Sequence, residues 1–347
     1  MRRSIILIVL LLFMVIPVSA MEFTAPEVPE SGDALMPRSY ESFGEGLWYV
    51  IRTALSSIQP GFYEACGICL SIMAVMLLGS LIRGFSQSQE GVIRLVETLM
   101  VALLFLKSSE TFMQLSRETI YEISNYGKLL MPVLAASLAA QGGVTAAAGI
   151  YGGTLLFDSI LTTAITNLLI PMVYAYIALC VADSAFDSEG LKEGKGFVKW
   201  LMTWTLKIIL YVFTGYIGIT GVVSGTADAA AVKAAKIAIS GFVPVVGNII
   251  SDASESILVS AGLMKNTVGV YGLLAVSAVW IGPFLQIGAQ YILLKLTAAA
   301  SGVITGKGGS LLLKDLSGAM GFLLAMTGAV CLMLLISIVC FMKGVSL

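Results

Sequence analysis

The sequence predicts an all-α fold: a polytopic transmembrane helical bundle of about seven to eight spans after a cleaved signal peptide. Three observations predict it. The 347 residues are 58% hydrophobic and only 12% charged, with a mean hydropathy of +0.94, whereas soluble domains are about half apolar and a quarter charged. The apolar runs reach roughly 20 residues, the length a helix needs to cross a bilayer core. Lipid cannot satisfy exposed backbone groups, so only helices or a closed barrel can span, and the long runs favour helices.

The opening MRRSIILIVLLLFMVIPVSA sets Arg2 and Arg3 before a short apolar core and ends in Val18-Ser19-Ala20. Residues 1–20 therefore read as a signal peptide that places the mature chain's start outside the cytoplasm. Residues 21–61 follow as an extracytoplasmic N-terminal segment in which acids outnumber bases. Its prolines predict extended chain up to Pro37. The multi-span membrane domain occupies 62–347.

Spans are expected near 62–82, 92–106, 129–149, 154–181, 200–225, 241–264, 267–294 and 319–342. Threading them from an external start puts 83–91, 150–153, 226–240 and 295–318 in the cytoplasm and 183–199 outside. Lysine and arginine then lean inward, as the positive-inside rule asks. A re-entrant 241–264 would flip every later side, so a full span is the preferred reading. Residues 107–128 alternate charge with Phe112, Leu115, Ile120 and Ile123, which suits a surface-lying helix, a partner-facing one or a short solvated one.

Glycines recur at four-residue spacing in Gly149/Gly153, Gly221/Gly225 and Gly302/Gly306, and Ala135, Ala139 and Gly143 extend the pattern. Small residues let helix backbones approach closely in lipid. This predicts tight packing and leaves room for a homo-oligomer.

Composition also excludes chemistry. The chain has no histidine, which removes His-ligated metals, Ser-His-Asp catalysis and imidazole proton shuttles. A net charge of −1 gives no field for nucleic acid. Cys66 and Cys69 have redox spacing but lie on an apolar helix without a βαβ context, so packing is their expected role. No Walker A sequence is present, no cofactor is expected, and the chain reads as a non-enzyme.

Ionisable residues at membrane depth are costly and mark candidate sites. Arg94 and Glu97 are expected to pair with each other, Lys207 to snorkel outward, and Asp158 to sit near a helix end. An intramembrane aspartyl protease using Asp158 and Asp252 lacks the Gly-x-Gly-Asp context at both positions.

The densest signal is SGFVPVVGNIISDASESILVSAG, residues 240–262. Pro244 and Gly247 predict a helix break. Asn248, Asp252, Glu255, Ser256 and Ser260 then form one polar stripe at helical spacing. Upstream, Lys233 and Lys236 share a face and are the candidate charge partners. Such a stripe lines a water-filled path or subunit interface, or forms a buried ion-pair network; a self-sufficient secondary transporter or ion channel with a broken helix at 241–264 is the alternative function.

TADAAAVKAAKIAISGFVPVVGNIISDASESILVSAGLMKNTVGVYG (226–272) and QYILLKLTAAASG (290–302) resemble the stage III sporulation protein AE family. The resemblance implies a multi-pass membrane core subunit of a channel-like, secretion-like complex needed for endospore development, linking mother cell and forespore. It implies partners among the eight proteins of the stage III sporulation A operon, including the ATPase and ring-forming subunits, and the forespore protein Q. The implied location is the mother-cell-derived outer forespore membrane. The resemblance assigns no catalytic, cofactor-binding or metal-binding residues.

Overall fold

The structure is a computed structural model describing the backbone of residues 25–40, 42–85, 89–242, 247–305 and 307–343, and their side chains except at 60, 221–265 and 304–308. Within these residues the fold is helical throughout. The elements are α1 (Glu30–Asp33), α2 (Phe43–Ser57), α3 (Gln59–Phe85), α4 (Glu90–Ala140) and α5 (Val144–Ala164). A π-helical turn (Ile165–Leu169) joins α5 to α6 (Ile170–Phe186), and α7 (Glu189–Phe242), α8 (Gly247–Thr305) and α9 (Lys307–Lys343) complete the chain.

Five stretches among the described residues are long and apolar enough to cross a membrane: Gly61–Phe85, Val144–Phe186, Glu189–Thr220, Asn266–Val303 and Gly309–Lys343. Seven to eight were expected, and three differences account for the gap. The expected span 92–106 and most of 129–149 fall within α4, one 51-residue helix, while 144–149 belong to α5. The expected loop at 150–153 is helical and belongs to α5. The expected span 241–264 carries side chains outside the described residues, so it is not among the five.

The true end of α4 lies at Gln141-Gly142-Gly143. Gly142 has φ 92, its N–H donates to the Ala139 carbonyl at 2.9 Å, and Gly143 N–H donates to the Leu138 carbonyl at 3.1 Å. These two bonds close the helix with a left-handed glycine, the Schellman arrangement. A Cβ at positive φ is strained. Gly142→Ala is therefore expected to cost about 1 kcal/mol, and Gly142→Asn less, read as a fall in the melting temperature of the detergent-purified protein.

Residues 107–128 are not a surface helix. Met113, Ile120, Ile123 and Tyr126 are buried, and Phe112 and Leu115 pack against the same core. Ser116 and Thr119 enter that core because each hydroxyl donates to the carbonyl four residues back, at 2.8 and 2.7 Å. The outward face of α4 changes instead. Val92, Val96, Leu99, Met100, Leu103 and Leu106 are exposed up to residue 106. From there the exposed residues are mostly polar, Lys107, Glu110, Gln114, Arg117, Glu118, Asn125 and Lys128 among them, with Tyr121 and Leu129 the exposed large apolar ones, a composition suited to water or polar protein more than to hydrocarbon.

Helices α8 and α9 form the centre: the most apolar stretch of each is 61% buried, against 22% in α7. They pack along each other and against α4, while α5 packs on α7 and α3 on α4 and α8. Leu134, Ile165, Leu274, Ile287, Leu316 and Ile338 are wholly buried. Tyr176 meets Phe322 edge-on at 5.6 Å, and Phe157 meets Phe213 at the same distance.

Gly149 and Gly153 do bring helices together. An ideal Cβ on Gly153 would lie 2.0 Å from the Tyr216 ring, and one on Gly149 would lie 2.4 Å from the Thr220 methyl. Gly302 faces Ser310; Gly221, Gly225 and Gly306 lie outside the described side chains. The π-helical turn precedes Pro171, whose missing N–H already interrupts the regular ladder there.

The N-terminal segment is more structured than extended chain. Glu30–Asp33 makes a single helical turn. Ser42 caps α2 by accepting the Glu45 N–H at 3.3 Å. Val50 and Ala54 of α2, with Leu35, pack on Ala278 and Ile281 of α8. Ser31 hydrogen-bonds Glu122 of α4.

Candidate functional site

Charge gathers at one end of the bundle, where α3 ends, α4 begins, α6 turns into α7 and α9 begins. The α6–α7 turn is tight. Asp187 takes φ 48, ψ 51 and its N–H donates to the Asp183 carbonyl at 2.8 Å. The Lys192 ammonium, 2.7 Å from Asp187, holds that carboxyl below its usual range.

This turn sets Asp183 on α6 against Lys195 on α7. Lys195 Nζ donates to Asp183 Oδ2 at 2.7 Å and to Asp315 Oδ2 of α9 at 2.6 Å. Three helices are tied by one ammonium, and the side chains are only 18%, 10% and 26% exposed respectively. Asp183 Oδ1 is buried without a hydrogen-bond partner among the described residues.

Beside this triad, Arg83 pairs with Glu97 across the α3–α4 seam. Glu97 fits there because Gly79 faces it; an ideal Cβ at 79 would lie 2.6 Å from Glu97 Oε2. The expected Arg94–Glu97 pair is thus replaced: the α3 guanidinium reaches Glu97 from across the seam. Arg94 turns toward α6, where Nη2 donates to the Ala185 carbonyl at 3.5 Å, and its Nε is buried without a partner. Thr98 Oγ1 lies 3.4 Å from Ser184 Oγ. A cavity of about 250 Å³ opens among these groups, lined by Arg83, Glu90, Arg94, Glu97, Thr98 and Ser184.

These contacts correct the expected sidedness. Residues 83–98, 183–195 and 315 share one end, so 183–199 cannot lie across the membrane from 83–91. The physical reason is the uninterrupted α4 and α5–α6: two long helical runs separate residues 90 and 186 where three spans were expected.

Deeper in the bundle, Asp158 is buried and accepts from Ser124 Oγ at 2.5 Å, and Thr154 Oγ1 donates to Ser337 Oγ at 2.8 Å. Asp158 is mid-helix in α5, not near a helix end as expected. The Gln290 amide is wholly buried with neither Oε1 nor Nε2 bonded among the described residues. Lys207 is exposed on α7, in keeping with a snorkelling stem. Cys66 and Cys69 are free thiols, Cys69 buried. Among the described residues no group of His, Cys, Asp and Glu could hold a metal ion.

The polar stripe of Asn248, Asp252, Glu255, Ser256 and Ser260 falls in α8, and Lys233 and Lys236 fall in α7; their side chains lie outside the described residues. Helix α7 ends at Phe242 and α8 starts at Gly247, and Pro244, in the interval, also lies outside them. The charged end of the bundle was missed in the sequence because its members are spread over five helices. Its available signal was charge just outside several predicted span ends, Arg83, Glu90, Asp183, Lys195 and Asp315 among them.

Long apolar helices around one hydrophobic core, with charge collected at an end, define a polytopic helical membrane protein. The sequence matches the family described as stage III sporulation protein AE over residues 49–344, and the chain belongs to that family. It is similar to "Stage III sporulation protein AE" of Bacillus subtilis (strain 168), 24% identical over 233 residues, which cover 67% of this chain and 58% of that protein. The chain therefore matches somewhat under two thirds of that relative's length. No solved structure matches the chain.

Proposed function

We propose that the chain is a membrane core subunit of a trans-envelope, secretion-like channel complex needed for endospore development. Family membership over residues 49–344 carries this reading. Its partners in this reading are the other stage III sporulation A-operon proteins, including the ATPase and ring-forming subunits, and the forespore protein Q. Its place is the outer forespore membrane, derived from the mother cell. Pull-down of a tagged copy from sporulating cells is expected to recover the operon proteins. Recovery of the tagged chain alone, with normal spores after deletion, would leave the proposal without support.

An orientation accompanies it. Arg83, Arg94, Lys192, Lys195, Lys199 and Lys314 lie at or near the charged end, so the positive-inside rule turns that end to the mother-cell cytoplasm. The polar outer face of α4 beyond Lys107, and the 25–57 segment packed on α8 and bonded to α4 through Ser31 and Glu122, then stand on the opposite side, between the two membranes. In a variant lacking the five native cysteines, Glu118→Cys should react with an impermeant maleimide only from the extracytoplasmic side. Asp187→Cys should react only once the cytoplasm is opened. The reverse pattern would invert the orientation, and labelling of both from one side would remove it.

A further inference from the structure

We propose that the α3–α4 seam at the charged end is a binding site for an aminophospholipid, with its phosphate at Arg94, its amine at Glu90 and its acyl chains along the outer groove. Glu90 and Arg94 lie four residues apart on α4, the order that most favours a direct ion pair. They nevertheless make no ion pair with each other or with any other described residue. Both line the same 250 Å³ cavity. Arg83 is already matched by Glu97, so one guanidinium and one carboxylate remain unmatched.

Arg94 also has a specific vacancy in its bonding. Among the described residues its Nε is buried and unpartnered, and its one side-chain hydrogen bond is the 3.5 Å approach to the Ala185 carbonyl. A phosphate oxygen pair takes two donors of the guanidinium fork together, which a lone carbonyl cannot do. A multiply charged soluble anion fits poorly, because Glu90 and Glu97 stand on the same wall.

The tails have their own surface. On the other side of the seam a groove of about 290 Å³ is lined by Val75, Leu78, Ile82, Val92, Val96 and Met100. Most of these side chains are exposed, and Glu97 borders groove and cavity alike. The depth is that of headgroups. Trp200 and Trp204 project outward from α7 about one and a half and two and a half turns past Lys195, as interfacial aromatics do.

The test is native mass spectrometry of the detergent-purified full chain with added phosphatidylethanolamine, phosphatidylglycerol or inorganic phosphate. Wild type should retain phosphatidylethanolamine. Arg94→Gln should lower the bound fraction by about tenfold, with Arg94→Lys recovering part of it. Glu90→Gln should weaken phosphatidylethanolamine but not phosphatidylglycerol. Val96→Trp, which fills the groove without touching the charges, should weaken both, while Arg52→Gln on α2 should change neither. Circular dichroism and elution position identify any variant that fails to fold, and Val96→Trp and Glu90→Gln then decide. Undiminished lipid binding in folded Arg94→Gln, or displacement of lipid by millimolar phosphate, would overturn the site. It depends on the chain lying in lipid, not on the sporulation reading, so a failed pull-down leaves it standing.

Discussion

Lys195→Met is expected to destabilise the detergent-purified protein by about 3 kcal/mol, the low end of what breaking a buried ion pair costs. The substitution keeps the aliphatic stem but leaves Asp183 and Asp315 facing each other without the ammonium that joins them. Asp183 suffers more. Its Oδ1 is already unbonded, so losing Lys195 leaves a buried carboxylate with no described side-chain partner. Adding Asp183→Leu and Asp315→Leu to Lys195→Met should recover most of the loss, because an apolar replacement of a whole buried network is often neutral. An unchanged melting temperature in the single variant would show that water, not the lysine, carries those charges.

Gly153→Leu should be nearly as damaging, by about 1–3 kcal/mol or more, since overpacking forces backbone shifts. Position 153 has no space at all: its ideal Cβ would overlap the Tyr216 ring at 2.0 Å. Tyr216 is held in place by the helix of Gly153 itself, one turn earlier, donating its hydroxyl to the Gly149 carbonyl at 3.1 Å. The ring therefore cannot swing away without losing that bond. Tyr216→Ala should cost stability alone yet soften the effect of Gly153→Leu, and a double-mutant cycle on melting temperature reads the coupling. Strict additivity would mean that α5 and α7 do not meet there.

The helical class and the position of most apolar stretches were legible from hydropathy, because burial in lipid and burial in a helical core ask for the same residues. Helix continuity was not. The serines and threonines of 107–128 lower the hydropathy of that stretch, yet Ser116 and Thr119 satisfy themselves within the helix and enter the core. Gly152-Gly153 looked like a loop, but those residues stay helical, and Gly153 makes room for Tyr216. The real stop, Gln141-Gly142-Gly143, was written in the sequence as a left-handed glycine signal inside what read as a span. The charged end was less legible for another reason. Arg83–Glu97 and Lys195–Asp315 are separated by 14 and 120 residues, and only the fold decides that Arg83, rather than the nearby Arg94, reaches Glu97.

Helix α4 has a mechanical consequence. Its 51 residues extend about 75 Å at 1.5 Å per residue, more than twice the hydrocarbon thickness of ~30 Å. Phe105 in its lipid-level half and Ile120 and Leu134 beyond it are all wholly enclosed by the same packed interior. The one proline of the helix is Pro132, near its far end, so the stretch from Glu90 to Met131 acts as a stiff strut. A tilt imposed at Arg94 would be delivered to Leu130, before the proline, so force applied on one side of the bilayer arrives as displacement on the other.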